Sequence, residues 1–120
     1  MKWACTVKRE YFDAIRDGRK RFEVRKKVPK IAVGDILFVC CKDEVIKCRV
    51  ESVREMDKRE AWYLFACSLC IDECLYYNYL IGYENVYLVG LRKIREVADK
   101  ELIRFRSSVR RNPQWFCKVK

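Results

Sequence analysis

A glycine followed by an alternating run of charged and apolar residues constrains the fold of this chain more than any other stretch. The residues before Gly18 carry apolar side chains at helical spacing, and glycine commonly ends a helix. The alternation after it predicts a strand over which Glu23 and Arg25 share one face. Phe22 and Val24 point the other way, toward a core. We therefore predict a helix, a glycine turn and a strand that presents a carboxylate beside a guanidinium.

Two residues of this segment have open interpretations. If the strand is regular from residue 20, Lys20 shares the face of Phe22 and points away from Glu23. Alternatively, Lys20 lies in the turn and its side chain bends around to the carboxylate. Gly18 either ends the helix in a left-handed conformation or lets a ligand approach the backbone closely.

The rest of the chain predicts a mixture of strands and helices. Asp57 is a capping residue, and apolar residues at helical spacing follow it. Apolar and alternating runs elsewhere predict strands. The predicted strands are 3–7, 20–25, 36–41, 45–53, 83–97 and 115–119, and the predicted helices are 8–17 and 58–74, with a short helix or turn over 99–105.

Length and composition predict a single domain over residues 1–120. The chain is 51% apolar and 37% charged, which is the composition of a globular protein with a real core. It contains no run of eighteen apolar residues, and residues 1–5 lack the apolar stretch of a secretion signal. We expect a cytoplasmic protein with no membrane partner.

The charge balance favours a polyanionic partner. There are 27 Lys and Arg residues against 17 Asp and Glu residues, a formal net charge of +10. Nucleic acid is the first candidate, and a generally charged surface is the alternative. The absence of histidine removes the commonest general base and the commonest zinc ligand. Any catalysis must therefore use other side chains, and we predict no cofactor.

Eight cysteines require an explanation. Cys67, Cys70 and Cys74 lie on one face of the predicted helix, and thiolates at such spacing also bind zinc or iron–sulfur clusters. A metal needs a fourth ligand, and no histidine is present to supply it. Free cysteine behaves as a small apolar residue, so we predict core packing and no metal, with a disulfide as a further alternative.

The spacing Gly-x-Lys-x-x-Glu-x-Arg resembles the motif of the ASCH domain family, a branch of the PUA-like superfamily. In this sequence the motif consists of Gly18, Lys20, Glu23 and Arg25. Residues 11–15 before it and residues 33–37 after it also resemble the family, and residues 3–55 are covered well. The resemblance implies an α+β fold, a small and mainly antiparallel PUA-like β-barrel with two or three flanking helices.

The resemblance implies, first, binding of single-stranded RNA or of a nucleobase or nucleoside, with DNA as a further candidate. Lys20 and Arg25 would contact phosphates, and Glu23 would accept a hydrogen bond from a base. Unpaired bases stack on aromatic rings, and core packing is the alternative role of those rings. The implied nucleic-acid-binding residues are Gly18, Lys20, Glu23, Arg25, Lys26, Lys27, Arg110 and Arg111, and the implied stacking residues are Tyr76, Tyr77 and Tyr79.

The second implied function is hydrolysis. One branch of the family resembles an amidohydrolase that deacetylates N4-acetylcytidine, with a lysine at the position of Lys20 and a threonine at that of Glu23. A partly desolvated lysine can activate a hydroxyl, but Glu23 has no hydroxyl to acylate. Other members are similar to RNA-cleaving enzymes, in which Lys20 and Glu23 would be the catalytic residues. The sequence leaves the choice between binder and enzyme open, and also the oligomeric state.

Overall fold

The computed structural model describes residues 1–108 and 116–119, which form one six-stranded sheet and four helices. This confirms the predicted α+β class, although two or three helices were expected. The elements in chain order are β1 (Lys2–Thr6), α1 (Arg9–Arg16), β2 (Phe22–Arg25), β3 (Ile36–Cys41), β4 (Glu44–Asp57), α2 (Lys58–Leu69), α3 (Glu73–Tyr79), β5 (Asn85–Glu96), α4 (Asp99–Ser108) and β6 (Cys117–Lys118).

The strands lie in the order β2-β5-β4-β3-β1-β6, and all neighbours are antiparallel except β1 and β3. The predominantly antiparallel sheet is thus confirmed, whereas the predicted closed barrel is not. The short strands β2 and β6 form the two edges, and in the described ranges the sheet stays open between them. The Arg25 guanidinium at the end of β2 lies 4.7 Å from the Phe116 ring beside β6. This distance shows that the sheet nevertheless curls strongly and brings its two edges together.

The two faces of the sheet are covered by different helices. On the inner face, α1 packs Phe12 against a core that includes Cys48 of β4. On the outer face, α2 and α3 cover the side of β2 and β5, where Tyr76 packs near Leu88. At the opposite side, α4 packs Phe105 against β3. Helices therefore cover the outer face of the sheet both over β2 and β5 and over β3.

The helix predicted over 58–74 is in fact two helices. Asp57 caps the first, as predicted, by accepting hydrogen bonds from two backbone N–H groups of the first turn. Cys70 then adopts a left-handed conformation with φ of 50°, which ends α2. Asp72 caps α3 in the same way as Asp57 caps α2. Residues 76–79, three tyrosines and Asn78, form the last turn of α3.

The cysteines fall into two groups, and no disulfide links any of them. Cys5, Cys40, Cys41 and Cys48 are buried, as core packing predicts. Burial raises the pKa of Cys40 and Cys48 to about 12, so that both thiols stay protonated near neutral pH. The prediction of core packing is wrong for Cys67 and Cys74, which are exposed. It holds only in part for Cys70 and Cys117, which are half-buried.

Residues 1–108 and 116–119 contain no group of three or more Cys, Asp and Glu side chains arranged to hold a metal ion. None of the helices in these residues is long and apolar enough to cross a membrane.

Candidate functional site

A cavity of about 490 Å³ opens where the end of β1, the start of α1, the strand β2 and the helix α3 meet. Its volume lies within the range of about 300–1,000 Å³ that is common for small-molecule sites. Its walls combine apolar and aromatic side chains with a few polar groups. The lining residues are Thr6, Val7, Lys8, Tyr11, Lys20, Glu23, Val24, Arg25, Ile71, Leu75, Asn78 and Tyr79.

Glu23 is the buried acceptor of this cavity. It lies in the middle of β2, opposite Val89 of β5, and is only 6% exposed. Its Oε1 accepts a hydrogen bond of 3.1 Å from the backbone N–H of Val24. Its Oε2 is buried and has no hydrogen-bond partner among the described residues. Because buried polar atoms are almost always hydrogen-bonded, this oxygen is a natural place for a donor from a ligand.

Arg25 forms an ion pair with this carboxylate. Its Nη2 lies 3.7 Å from Oε2 of Glu23, and its side chain is 11% exposed. Its guanidinium also stacks over the Phe116 ring, 4.7 Å from the ring centre. Burial is the largest single effect and lowers the pKa of Arg25, but the Glu23 carboxylate, together with Cys5 and Tyr79, raises the pKa by more. The guanidinium is therefore a fixed positive charge at the inner end of the cavity.

Lys20 reaches the same cavity from the turn before β2. The turn is tied to α1 by the hydrogen bond from Lys20 N–H to the Ala14 carbonyl, at 3.0 Å. Because β2 begins only at Phe22, the parity of a regular strand does not apply to Lys20. Its Nζ donates to the Leu69 carbonyl at the end of α2 and lies 5.1 Å from the centre of the Tyr11 ring. Lys20 thus lies in the turn, as the second interpretation has it, but its ammonium binds the Leu69 carbonyl and forms no ion pair with Glu23 within the described residues.

Burial lowers the pKa of Lys20, although the nearby Glu23 carboxylate partly offsets it. The folded state therefore binds fewer protons than the unfolded state between this lowered pKa and the ordinary value of 10.5. We expect the stability of the wild type, relative to Lys20→Met, to rise with pH across that window and to level off above it. Urea unfolding of both proteins at a series of pH values measures this difference. A difference that is independent of pH would show that Lys20 is not desolvated.

Gly18 lies outside the cavity lining. It follows α1 with a φ of 79°, and its N–H donates to the Ile15 carbonyl at 3.1 Å. A Cβ placed on Gly18 would meet no atom within 4 Å. The position therefore favours glycine because of its left-handed backbone conformation and not because space is short. Of the two interpretations, the structure supports the helix end.

The three tyrosines that were expected to stack have different environments. Tyr79 lines the cavity, and the Lys26 ammonium lies 4.7 Å from the centre of its ring. Tyr76 is fully buried, and its hydroxyl donates a hydrogen bond of 2.7 Å to the Lys58 carbonyl. Tyr77 is half-buried against Tyr76, with their ring centres 5.1 Å apart. The burial of Tyr76 argues against a stacking role for its ring, because a base cannot reach it.

The remaining residues of the implied nucleic-acid surface are not brought together with Glu23. Lys26 contacts Tyr79 at the edge of the cavity, whereas the exposed Lys27 does not line it. Arg110 and Arg111 lie outside the described residues. Of the predicted residues, the structure therefore groups Lys20, Glu23, Arg25 and Tyr79 around one cavity, with Lys26 beside them.

Sequence reasoning missed several residues of the cavity wall. Thr6 lies at the end of β1, and its buried Oγ1 has no hydrogen-bond partner in the part of the chain that the structure describes. Tyr11 and Asn78 also line the cavity, from α1 and α3. A polar residue that ends an apolar strand was the available signal for Thr6. No local signal places residues of α3 beside β2, since the two are some fifty positions apart in the sequence.

Comparisons with known proteins point to one family. The family model described as ASCH domain matches residues 6–117. Among curated proteins, none matches the chain. The ASCH structure from Zymomonas mobilis superposes with a TM-score of 0.83 at 21% identity, over 99% of this chain and 87% of that one. An ASCH domain from Lactobacillus crispatus superposes with a TM-score of 0.59 at 16% identity, over 77% of this chain and 80% of that one. At such identities the structural likeness shows the fold alone.

Proposed function

The chain belongs to the ASCH domain family, whose PUA-like fold is linked to RNA binding, and we propose that it binds an unpaired base of single-stranded RNA, or a free nucleobase, in the cavity around Glu23. The observation that carries this proposal is the buried Oε2 of Glu23, which has no hydrogen-bond partner among the described residues. A base with an exocyclic amine supplies the missing donor, as the N4 amine of cytosine does for carboxylates.

The other walls of the cavity suit the same ligand. Tyr11 and Tyr79 line it and offer aromatic surface to a flat base. Arg25 lies beside Glu23 and is available for a carbonyl oxygen of the base or for a phosphate. Lys26, at the edge of the cavity, is half-buried against Tyr79 and adds positive charge for the backbone of the strand.

The proposal is tested with labelled tetranucleotides of cytidine and of uridine, whose binding is followed by fluorescence anisotropy. The wild type is expected to prefer cytidine, because uridine carries an oxygen in place of the amine. Glu23→Gln keeps the size of the side chain but replaces one acceptor oxygen with a donor group. We expect this variant to lose about tenfold in affinity for the cytidine ligand, the low end of one base contact, and to lose the preference.

Glu84→Gln is the matched control, because Glu84 is exposed and lies outside the cavity lining. It should leave both affinities unchanged. Circular dichroism of each variant confirms that it is folded. Cytidine affinity that survives Glu23→Gln in a folded protein would sink the proposal.

Hydrolysis in the same cavity is the second candidate. The observation that favours it is the buried Thr6 hydroxyl, which has no hydrogen-bond partner among the described residues, in a residue that lines the cavity as Lys20 does. Lys20 has a lowered pKa, as a lysine that activates a hydroxyl requires. Thr6 would supply the hydroxyl that Glu23 lacks.

Incubation with N4-acetylcytidine tests this candidate, and chromatography detects cytidine and acetate. Incubation with end-labelled RNA, followed on a gel, tests cleavage of the strand. Product that forms with the wild type and not with Thr6→Val supports hydrolysis. An unchanged substrate in both assays leaves the cavity as a binding site.

A further inference from the structure

The outer face of the sheet carries a row of cations that the cavity does not use. Along β4, the buried residues Ile46, Cys48 and Val50 belong to the inner core, so the alternating residues Lys47 and Arg49 face outward. Five outward-facing cations of β1, β4 and β5 lie outside the region that α2 covers, and we call them the basic strip. The basic strip consists of Lys2, Lys47, Arg49, Arg92 and Arg95.

The register of the sheet places these cations directly opposite one another. Arg49 of β4 pairs with Arg92 of β5, and Lys47 pairs with Arg95. In the direction of β1, Ile36 of β3 lies between Arg49 and Lys2. Like charges that face each other across strands destabilise a sheet. Folding alone therefore gives no reason for this arrangement.

Carboxylates neutralise only part of the basic strip. Arg92 lies 3.4 Å from Glu51, and Arg95 lies 2.6 Å from Glu101. Within the described residues, Lys2, Lys47 and Arg49 form no ion pair. Five basic side chains thus face two acidic partners, and Lys2, Arg49, Arg92 and Arg95 are exposed to solvent.

The basic strip lies between the two parts of the outer face that the helices cover, and its Arg95 contacts α4 through Glu101. Helices α2 and α3 cover the sheet on the side of β2, and α4 covers it on the side of β3. The cavity, in contrast, is lined by Glu23 and Arg25, which face away from α2 and α3 because Phe22 and Val24 pack beneath these helices. The two features therefore lie on opposite faces of the sheet.

We propose that the basic strip binds the sugar–phosphate backbone of the RNA strand whose base occupies the cavity. Regularly spaced, partly unpaired cations on a sheet complement a line of phosphates and carry no base specificity. The inference rests on the proposed function, because it takes the same RNA as the ligand of both surfaces. At about 3.4 Å per stacked nucleotide, a strand of about 20 nucleotides is about 68 Å long and exceeds the longest dimension of the molecule, 42 Å. Such a strand can reach both faces.

The experiment compares a tetranucleotide with a single-stranded RNA of about 20 nucleotides and mixed sequence, across a salt series. Lys2→Gln with Arg49→Gln removes two exposed cations that form no ion pair with the described residues. For the long RNA, we expect the slope of log K against log salt to become shallower by about 1.4, which is about 0.7 for each lost phosphate contact. The affinity for the tetranucleotide should not change, because it fills the cavity only.

Arg59→Gln with Lys30→Gln is the matched control. Both residues are exposed, form no ion pair with the described residues, and lie outside both the cavity lining and the basic strip. An equal change of slope in this control, or no change in the strip variant, would overturn the proposal. So would a change seen only with single-stranded DNA, or only with vesicles that contain anionic lipid.

The design separates the two proposals. If the tetranucleotide does not bind the cavity but the strip variant still makes the long-RNA slope shallower, the proposed function fails and the basic strip stands. If Glu23→Gln weakens the tetranucleotide and the strip variant leaves the long RNA unchanged, the basic strip fails alone.

Discussion

Replacement of Arg25 by Met is expected to lower the free energy of unfolding by about 3 kcal/mol, the low end for removal of one partner from a buried ion pair. The side chains of Glu23 and Arg25 are 8% and 11% exposed, so the carboxylate that remains would be buried without its counter-charge. Urea unfolding at neutral pH measures the loss.

A double-mutant cycle identifies the cause of this loss. When Glu23→Gln accompanies Arg25→Met, neither charge of the pair remains, and the double variant should be more stable than Arg25→Met alone. Arg19→Met serves as the control, because Arg19 pairs with Asp17 on the surface and should change stability by less than about 0.5 kcal/mol. Strictly additive losses in the cycle would show that the Arg25 effect comes from packing on Phe116 and not from the ion pair.

The second large effect is expected at Tyr76, where replacement by Ala should destabilise the fold by about 3–5 kcal/mol. Tyr76 is fully buried between α2 and α3, and its ring centre lies 5.0 Å from that of Trp62. The small side chain would leave a cavity and an unpaired carbonyl at Lys58. The midpoint of urea unfolding, compared with that of the wild type, measures the effect.

Tyr79→Ala is the contrasting variant. Tyr79 belongs to the same helix as Tyr76, but it lines the cavity. It should unfold close to the wild-type midpoint and lose about tenfold in tetranucleotide affinity, as removal of one stacked base contact does. A Tyr76→Phe variant removes only the hydroxyl and should bind RNA normally. If Tyr76→Phe weakens binding while Tyr79→Ala does not, the assignment of the two rings is reversed.

Local patterns in the sequence determined much of the motif segment. The helical spacing before Gly18, the glycine and the alternation after it predicted α1, the turn and β2 in their observed order. The same alternation placed Phe22 and Val24 against the core and Glu23 on the opposite face. These features depend on neighbours one to four residues away, and such periodicities are visible in a sequence.

The long-range features were decided by the tertiary structure. The pairing of β2 with β5, rather than with a nearer strand, sets which side chains surround Glu23. The turn bound to α1 and α2 brings Lys20 into the cavity that Glu23 also lines, against the parity of a regular strand. The break at Cys70 starts a second helix, which buries Tyr76 and brings Tyr79 to the cavity.

The open sheet and the basic strip belong to the same class of feature. The charge excess predicted a polyanionic partner, but no local pattern shows that Arg49 faces Arg92 or that Lys47 faces Arg95. Strand order, bulges and the short edge strands set these neighbours, and they arise from contacts between residues far apart in the chain. The sequence by itself therefore determined which face the side chains of the motif strand take, from Phe22 to Arg25. The tertiary structure determined which faces meet, because register and helix packing are properties of pairs of elements and not of one segment.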